Sequence, residues 1–302
     1  MTELTDFQRN ISSFLPKIKL CFSEPLEKHT SFRIGGPAEV MAFPENSQQL
    51  AEILKVSRLL DCVPAILGAG TNILAPDEGL PGLTVCLTGL SGLEQVDDTH
   101  IWVAAGVSMT RAAVYAANLG LSGLEFAHGI PGSVGGGVYM NAGAYGGEIK
   151  DVCTSVDVMT SDGTIQTYSN EEMMFSYRHS RLEEEGGMVV SAVFVLEKKP
   201  ADEIRGKMQE LAAKRKASQP LDKPSAGSTF KRPVGGYAAA LIDGAGLKGY
   251  QVGGAAVSQK HAGFVVNLNS ATSADVKTLI KQVSDIVFEK SGIRLEPEVR
   301  IW

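Results

Sequence analysis

The chain has 302 residues, 44% hydrophobic and 21% charged, enough to bury a sizeable core and to make about two domains. Its formal net charge of -6 argues against a protein that grips nucleic acid through a broad cationic face, so any anionic ligand must meet local cations or main-chain amides. Cys21, Cys62, Cys86 and Cys153 lie too far apart for a zinc site or a disulfide scaffold, and no apolar stretch approaches membrane-spanning length, so the expectation is a metal-free cytoplasmic protein with no membrane partner.

Leu4, Phe7, Ile11 and Leu15 recur at helical spacing and predict an amphipathic helix over residues 3–18. A strand follows at 39–43, then a helix over 47–60 that buries Leu50, Ile53 and Leu54. Short strands are expected at 63–67, 83–87 and 101–105, before a helix capped by Ser108 and ended by Gly120. Residues 152–196 are β-rich around a hairpin turn at Asp162-Gly163.

After Lys198-Lys199-Pro200 the composition shifts to a polar helix over 202–217 and an irregular segment over 219–230. A helix at 237–243, a strand at 264–267 and a helix opened by Ser273 come next, and the closing alternation sets Glu296, Glu298, Arg300 and Trp302 on one strand face. The pattern is α+β. It divides into a domain of residues 1–200, itself split near residue 95, and a smaller α+β domain of residues 201–302.

Two segments concentrate glycine beyond the needs of turns. One is Gly68-Ala69-Gly70-Thr71-Asn72, directly after a strand; the other runs from Gly129 to Gly137 and continues from Asn141 to Gly147. Glycine lets backbone approach a ligand closely and lets successive N–H groups converge on an anion such as a pyrophosphate. Neither segment holds the lysine of a P-loop, and Ile73 stands where a Rossmann fingerprint needs its third glycine. No G-x-S-x-G elbow surrounds Ser122, Ser133 or Ser228, which counts against a serine hydrolase.

The strings Gly68-Ala69-Gly70-Thr71-Asn72-Ile73-Leu74, Gly129-Ile130-Pro131-Gly132-Ser133-Val134-Gly135-Gly136 and Tyr139-Met140-Asn141-Ala142-Gly143-Ala144-Tyr145-Gly146-Gly147-Glu148 resemble the FAD-binding region of the UDP-N-acetylenolpyruvoylglucosamine reductases. The similarity runs from about Thr30-Ser31-Phe32-Arg33-Ile34-Gly35-Gly36 to the C-terminus. It implies a two-lobed FAD domain of the vanillyl-alcohol-oxidase type, residues 1–200, and a substrate domain, residues 201–302. It also implies non-covalent FAD, NADPH as hydride donor, a UDP-sugar substrate of peptidoglycan synthesis and a monomer. Implied cofactor contacts are Arg33, Gly68, Ala69, Gly70, Thr71, Asn72, Gly129, Pro131, Gly132, Ser133, Gly135, Gly136, Asn141, Gly143, Tyr145 and Arg300. The alternative is an alcohol or sugar oxidase of the same flavin superfamily.

Reducing an enolpyruvyl ether needs hydride at one alkene carbon, a proton at its neighbour, and stabilisation of the carboxylate as it gains enolate charge. The resemblance matches Arg178, in Phe175-Ser176-Tyr177-Arg178-His179-Ser180, to the arginine that faces this carboxylate, a role that suits a guanidinium fork. It matches Ser228, in Ser225-Ala226-Gly227-Ser228-Thr229-Phe230-Lys231, to the proton donor, and Glu298 to its acidic partner. Tyr177, Lys231, Arg232, Lys248, Lys260 and His261 are the expected substrate contacts. Short connections after Phe230 place the chain with the family's shorter form, which lacks an added tyrosine-bearing loop.

Overall fold

A computed structural model describes residues 4–302 and divides the chain into two compact units, each assembled from three segments. The first unit comprises residues 1–23, 39–69 and 81–214; the second comprises 24–38, 70–80 and 215–302. The single cut expected near Pro200 is therefore corrected. The C-terminal boundary falls inside a helix, and two short stretches of the N-terminal half join the C-terminal unit.

In chain order, α1 (Asp6–Phe14) opens on a capping box made by Thr5 and Gln8 and stops before Pro16, which shortens the helix expected over 3–18; residue 3 lies outside the described residues. β1 (Lys19–Pro25), β2 (Pro37–Phe43), α2 (Ser47–Leu59), β3 (Ala65–Leu67), β4 (Ile73–Leu74) and β5 (Leu80–Cys86) follow. Asn46 caps α2 by accepting the Gln49 amide, and Leu50, Ile53 and Leu54 are buried as their spacing predicts. β1, β2, β5 and β3 form a four-stranded sheet in that order, with β3 parallel to β5. β1 has no buried face because it is an edge strand, which is why no alternation betrayed it.

Next come β6 (Leu93–Gln95), β7 (His100–Ala104), α3 (Met109–Asn118), β8 (Leu121–Ser122), α4 (Val134–Tyr139), β9 (Gly143–Ala144), β10 (Gly147–Glu148), β11 (Cys153–Met159), β12 (Ile165–Ser169), α5 (Leu182–Glu185), β13 (Met188–Val195) and β14 (Glu197–Lys198). Ser108 caps α3 through the Arg111 amide, and Gly120 follows the helix at φ +69°. β12, β11, β13, β7 and β6 make a five-stranded sheet, so the two sheets separate between Cys86 and Leu93, slightly earlier than residue 95. The β11–β12 hairpin turns at Asp162 and Gly163, as the dipeptide predicts. One core of the first unit runs from Ile11 to Met208 and includes Val103, Ala113, Val138 and Phe194.

α6 (Ala201–Ser218) runs from the first unit into the second. The second unit then holds β15 (Ser225–Ser228), α7 (Ala238–Gly244), β16 (Gln251–Val252), β17 (Ala255–Val257), β18 (Phe264–Asn267), α8 (Ser273–Ser291) and β19 (Arg300–Ile301). β15, β18, β17 and β16 form an antiparallel sheet covered by α8, whose Val276, Leu279, Val283 and Val287 face a core shared with Phe32, Leu74 and Phe230. β4 pairs in parallel with β19, which is what draws residues 70–80 into this unit.

Candidate active site

The first unit brings the start of the first glycine segment, Gly68, against the second segment. A methyl group on Gly68 would lie 2.8 Å from Ser133 Oγ. Ser133 is buried and caps α4, its hydroxyl accepting the Gly136 amide at 3.4 Å. The glycines of α4 then divide by face. A Cβ on Gly135 would meet Ala105 Cβ at 2.8 Å, and one on Gly137 would meet Met109 Sδ at 2.7 Å, so these two allow the helix to pack tightly. Gly136 is exposed, and a Cβ there would touch only Ser133 Oγ, at 3.6 Å.

Gly135, expected to touch a cofactor, is buried and donates its amide to Ala105 O at 2.8 Å. Gly143 is likewise required by its hairpin, since a Cβ would sit 2.6 Å from Gly147 O across the β9–β10 pair. Tyr145 and Gly146 turn that hairpin at φ +54° and +89°, the double left-handed geometry of a tight turn, and both are exposed. Gly129 donates to Thr110 Oγ1, Pro131 is exposed, and Gly132 takes φ +134°. What remains open is a surface at Gly68, Ala69, Pro131, Gly132 and Gly136 that carries little side chain, and it fits a flat, anionic dinucleotide such as FAD.

Gly70, Thr71 and Asn72 belong to the second unit. Gly70 O accepts the Ser31 amide at 3.0 Å, and at φ +61° its Cβ would fall 1.9 Å from His29 O, so only glycine fits. Asn72 bridges to the C-terminal strand: its Nδ2 donates to Glu298 O at 3.1 Å and its carbonyl accepts the Arg300 amide at 2.9 Å. Arg33, also at positive φ (+54°), is exposed and lines a cavity of about 640 Å³ in the second unit with Asp77, Asp222 and Lys223.

Arg178 sits at the tip of a two-residue turn closed by the Ser176 amide on His179 O (3.1 Å) and the His179 amide on Ser176 O (3.3 Å). Its φ of +56° is unusual for a residue with a Cβ, and such conformations persist only where surroundings enforce them. The guanidinium lies 5.1 Å over the Tyr177 ring and donates from Nη2 to Gly143 O at 3.2 Å. Beneath the turn, the fully buried Asn141 holds Ser176 O, and the fully buried Ser180 hydroxyl donates to Tyr139 O at 2.8 Å.

Ser228 and Glu298 are neighbours in the second unit. Four residues of β15, from Ser225 to Ser228, oppose three of β18, from Val266 to Phe264, so β15 carries a bulge, and Gly227 supplies the positive φ (+76°) it needs. The bulge leaves Ser228 exposed, while the next residue, Thr229, is buried with its Oγ1 accepting the Val265 amide. The Glu298 amide donates to Thr229 O at 2.8 Å, and Phe230 bridges Pro297. Main-chain bonds thus set the serine and the glutamate on adjoining segments, although the strand expected through Glu296 and Glu298 is confined to Arg300–Ile301, with an isolated bridge at Pro297.

The expected substrate cations each hold a protein partner. Lys231 pairs with Glu296 at 3.0 Å, Lys248 with Asp243 at 2.7 Å, Lys260 donates to Lys216 O at 2.6 Å, and Arg232 stacks 4.5 Å from the Tyr237 ring. Tyr177 is exposed. Burial lowers the pKa of His261 from its ordinary value, with a smaller push from the Lys248 charge, which favours the neutral imidazole as a donor. Sequence reasoning missed the inward roles of Asn141 and Ser180. The available clue was an asparagine at the C-terminal end of a helix, where a left-handed residue is common.

Two family models match the chain: an FAD binding domain over residues 38–169 and the C-terminal domain of UDP-N-acetylenolpyruvoylglucosamine reductase over residues 219–302. The UDP-N-acetylenolpyruvoylglucosamine reductase of Agathobacter rectalis is 48% identical, over 98% of this chain and 98% of its own length. The crystal structure of the corresponding reductase from Thermus caldophilus superposes with a TM-score of 0.80 at 36% identity, covering 95% of this chain and 99% of that one. A chitooligosaccharide oxidase shares the fold at 14% identity and a TM-score of 0.52, over 95% of this chain and 60% of that one.

Proposed function

We propose, from the premise that this chain belongs to the UDP-N-acetylenolpyruvoylglucosamine reductase family, that it reduces the enolpyruvyl ether of UDP-N-acetylglucosamine with NADPH to give UDP-N-acetylmuramate. FAD would supply the redox chemistry there, a relay of hydride between NADPH and the alkene. The residues suited to hold it without a covalent bond are the open backbone of Gly68, Ala69, Pro131, Gly132 and Gly136 in the first unit.

Arg178 binds the substrate carboxylate and stabilises the charge that spreads into it as the adjacent carbon becomes carbanionic. The Ser228 hydroxyl delivers the proton to that carbon, which is basic enough to take it from an alcohol. Glu298 orients and polarises the same region. Lys231, Arg232, Lys248, Lys260 and His261 supply cations and donors for the UDP moiety, and Tyr177 an aromatic face. The observation that carries this reading is the bulge that leaves Ser228 exposed one residue from the Thr229–Glu298 main-chain bond. Four free cysteines support work in the reducing cytoplasm.

A visible spectrum tests the whole. Purified protein should show flavin absorption, bleach with NADPH under anaerobic conditions and recover on addition of the enolpyruvyl UDP-sugar, with the flavin released into the supernatant by acid. Colourless protein that gains nothing from added FAD would remove the flavin reading. Flavin retained in the acid pellet, reduced by an alcohol and reoxidised by oxygen, would move the protein to the oxidases.

A further inference from the structure

Asn141 was expected to face the cofactor, yet its side chain has no exposed surface and is committed to the protein on three sides. Nδ2 donates to Glu148 Oε2 at 2.7 Å and to Ser176 O at 2.9 Å, while Oδ1 accepts the Lys150 amide at 2.9 Å. An amide offers two donors and an acceptor with two lone pairs, so both N–H groups are used and the oxygen has a partner. Asn141 also adopts φ +40°, a conformation that asparagine tolerates better than other residues with a Cβ.

The carbonyl that Asn141 grips is the base of the Arg178 turn. Ser176 O accepts both the His179 amide, which closes the turn, and Asn141 Nδ2, which fixes its height above α4. The carboxylate on the other side is fixed in turn: Glu148 accepts the Asp151 amide in a reciprocal cap, with Asp151 Oδ2 accepting the Glu148 amide at 2.8 Å. A second tie, from Ser180 Oγ to Tyr139 O, anchors the residue that leaves the turn. Only Met140 separates Tyr139 from Asn141, and α4 is capped by Ser133, where the glycine segments meet. The helix that carries the open Gly136 therefore also carries the fastening for Arg178.

We propose that Asn141 is a positioning residue for Arg178: through the Ser176 carbonyl and the Glu148 carboxylate it holds the turn in its left-handed form, so that the guanidinium fork is aimed before substrate arrives. This rests on the functional reading above, in which Arg178 meets the substrate carboxylate. A group positioned by buried hydrogen bonds costs no reorganisation when charge develops, whereas displacement on the order of 1 Å can slow a reaction by about 100-fold.

The test uses Asn141→Gly in the full flavoprotein, because glycine accepts φ +40° without strain and deletes only the amide. Flavin content and the rate of bleaching by NADPH should match the parent, while reoxidation by the enolpyruvyl UDP-sugar should slow by about 10- to 100-fold. In a double-mutant cycle with Arg178→Lys, the second substitution should add little, because both act through one fork. The proposal is overturned by reoxidation within about twofold of the parent, by slowing that multiplies fully with that of Arg178→Lys, or by loss of flavin, which would return Asn141 to the cofactor. Should the glycine variant fail to fold, Asn141→Asp enters the same cycle; it keeps the shape but turns the donor into a carboxylate facing Glu148. A parent that the sugar does not reoxidise removes the functional reading as well. An active parent, a slow Arg178→Lys variant and a fast Asn141→Gly variant remove the proposal alone.

Discussion

The Arg178 turn and the Ser228 bulge both present a polar side chain beside backbone at positive φ, but they are held by different means. Side chains fasten the first: Asn141 on Ser176 O, Ser180 on Tyr139 O, and Arg178 itself on Gly143 O. Main-chain bonds dominate the second, where β18 lies on one side, Glu298 on the other, and the Thr229 hydroxyl adds one bond. A turn fastened by side chains can be loosened from a distance by single substitutions, each leaving a buried polar group without a partner. A strand fastened by its own ladder tolerates such changes and yields only to a change in backbone conformation.

The sharpest break is Ser228→Ala, which removes the proposed proton donor and leaves every bond of the ladder intact. Reoxidation of the reduced flavin by the enolpyruvyl sugar should fall by about 10²- to 10⁴-fold, with melting temperature and NADPH bleaching at parental values. A variant that turns over at the parental rate would take Ser228 out of the reaction and leave its exposure unexplained. Gly227→Ala, smaller in effect, asks whether the bulge itself matters. A Cβ there meets nothing within 4 Å, so the whole cost is the left-handed conformation at φ +76°, about 1 to 2 kcal/mol, read as a drop in denaturation midpoint. An unchanged midpoint would mean that β15 can register without its bulge.

The smallest effect is acid sensitivity at another side-chain-fastened turn. In the β11–β12 hairpin, hydrogen bonding, led by the Thr160 hydroxyl and followed by the Thr164 amide, holds the Asp162 carboxyl near 2 instead of its ordinary 3.8. A carboxylate depressed on folding adds stability above about pH 4 and loses it as the pH falls towards 2. Asp162→Asn should therefore melt below the parent at pH 5, with the gap closing towards pH 2. A gap independent of pH would assign the turn's stability to its backbone alone.

Local pattern carried the helices well. The burial of Leu50, Ile53 and Leu54, the Ser108 cap and the Asp162-Gly163 turn all follow from residues within one turn of each other. α4 and β15 did not, because a run of glycines and a Ser-Ala-Gly-Ser string have no apolar period. Their structure is imposed by Ala105 and Met109 packing on one and by β18 pairing with the other. The domain boundary failed for the same reason: nothing near Ile73 in sequence announces that it pairs with Arg300.

Composition pointed to the glycine segments as a cofactor site, whereas Arg178, Ser228 and Glu298 became visible only through family resemblance, since an isolated arginine, serine or glutamate carries no pattern of its own. The resemblance implied Asn141 as a cofactor contact. Its orientation depends on the half-buried Glu148 carboxylate seven residues on and a carbonyl 35 residues on.

The β4–β19 pairing sets a condition on how the protein is made. Asn72 and Glu298 are joined across 226 residues of chain, and Trp302 donates its amide to Leu74 O. Residues 70–80 must therefore wait, without their final partner, until almost every other element has emerged from the ribosome. A contact of such long range forms slowly because the entropy of closing the loop is lost before the pairing is gained, so assembly of the second unit should be the late event in folding. During synthesis, the stretch that carries Thr71 and Asn72 would be the part of the second unit still lacking its partner.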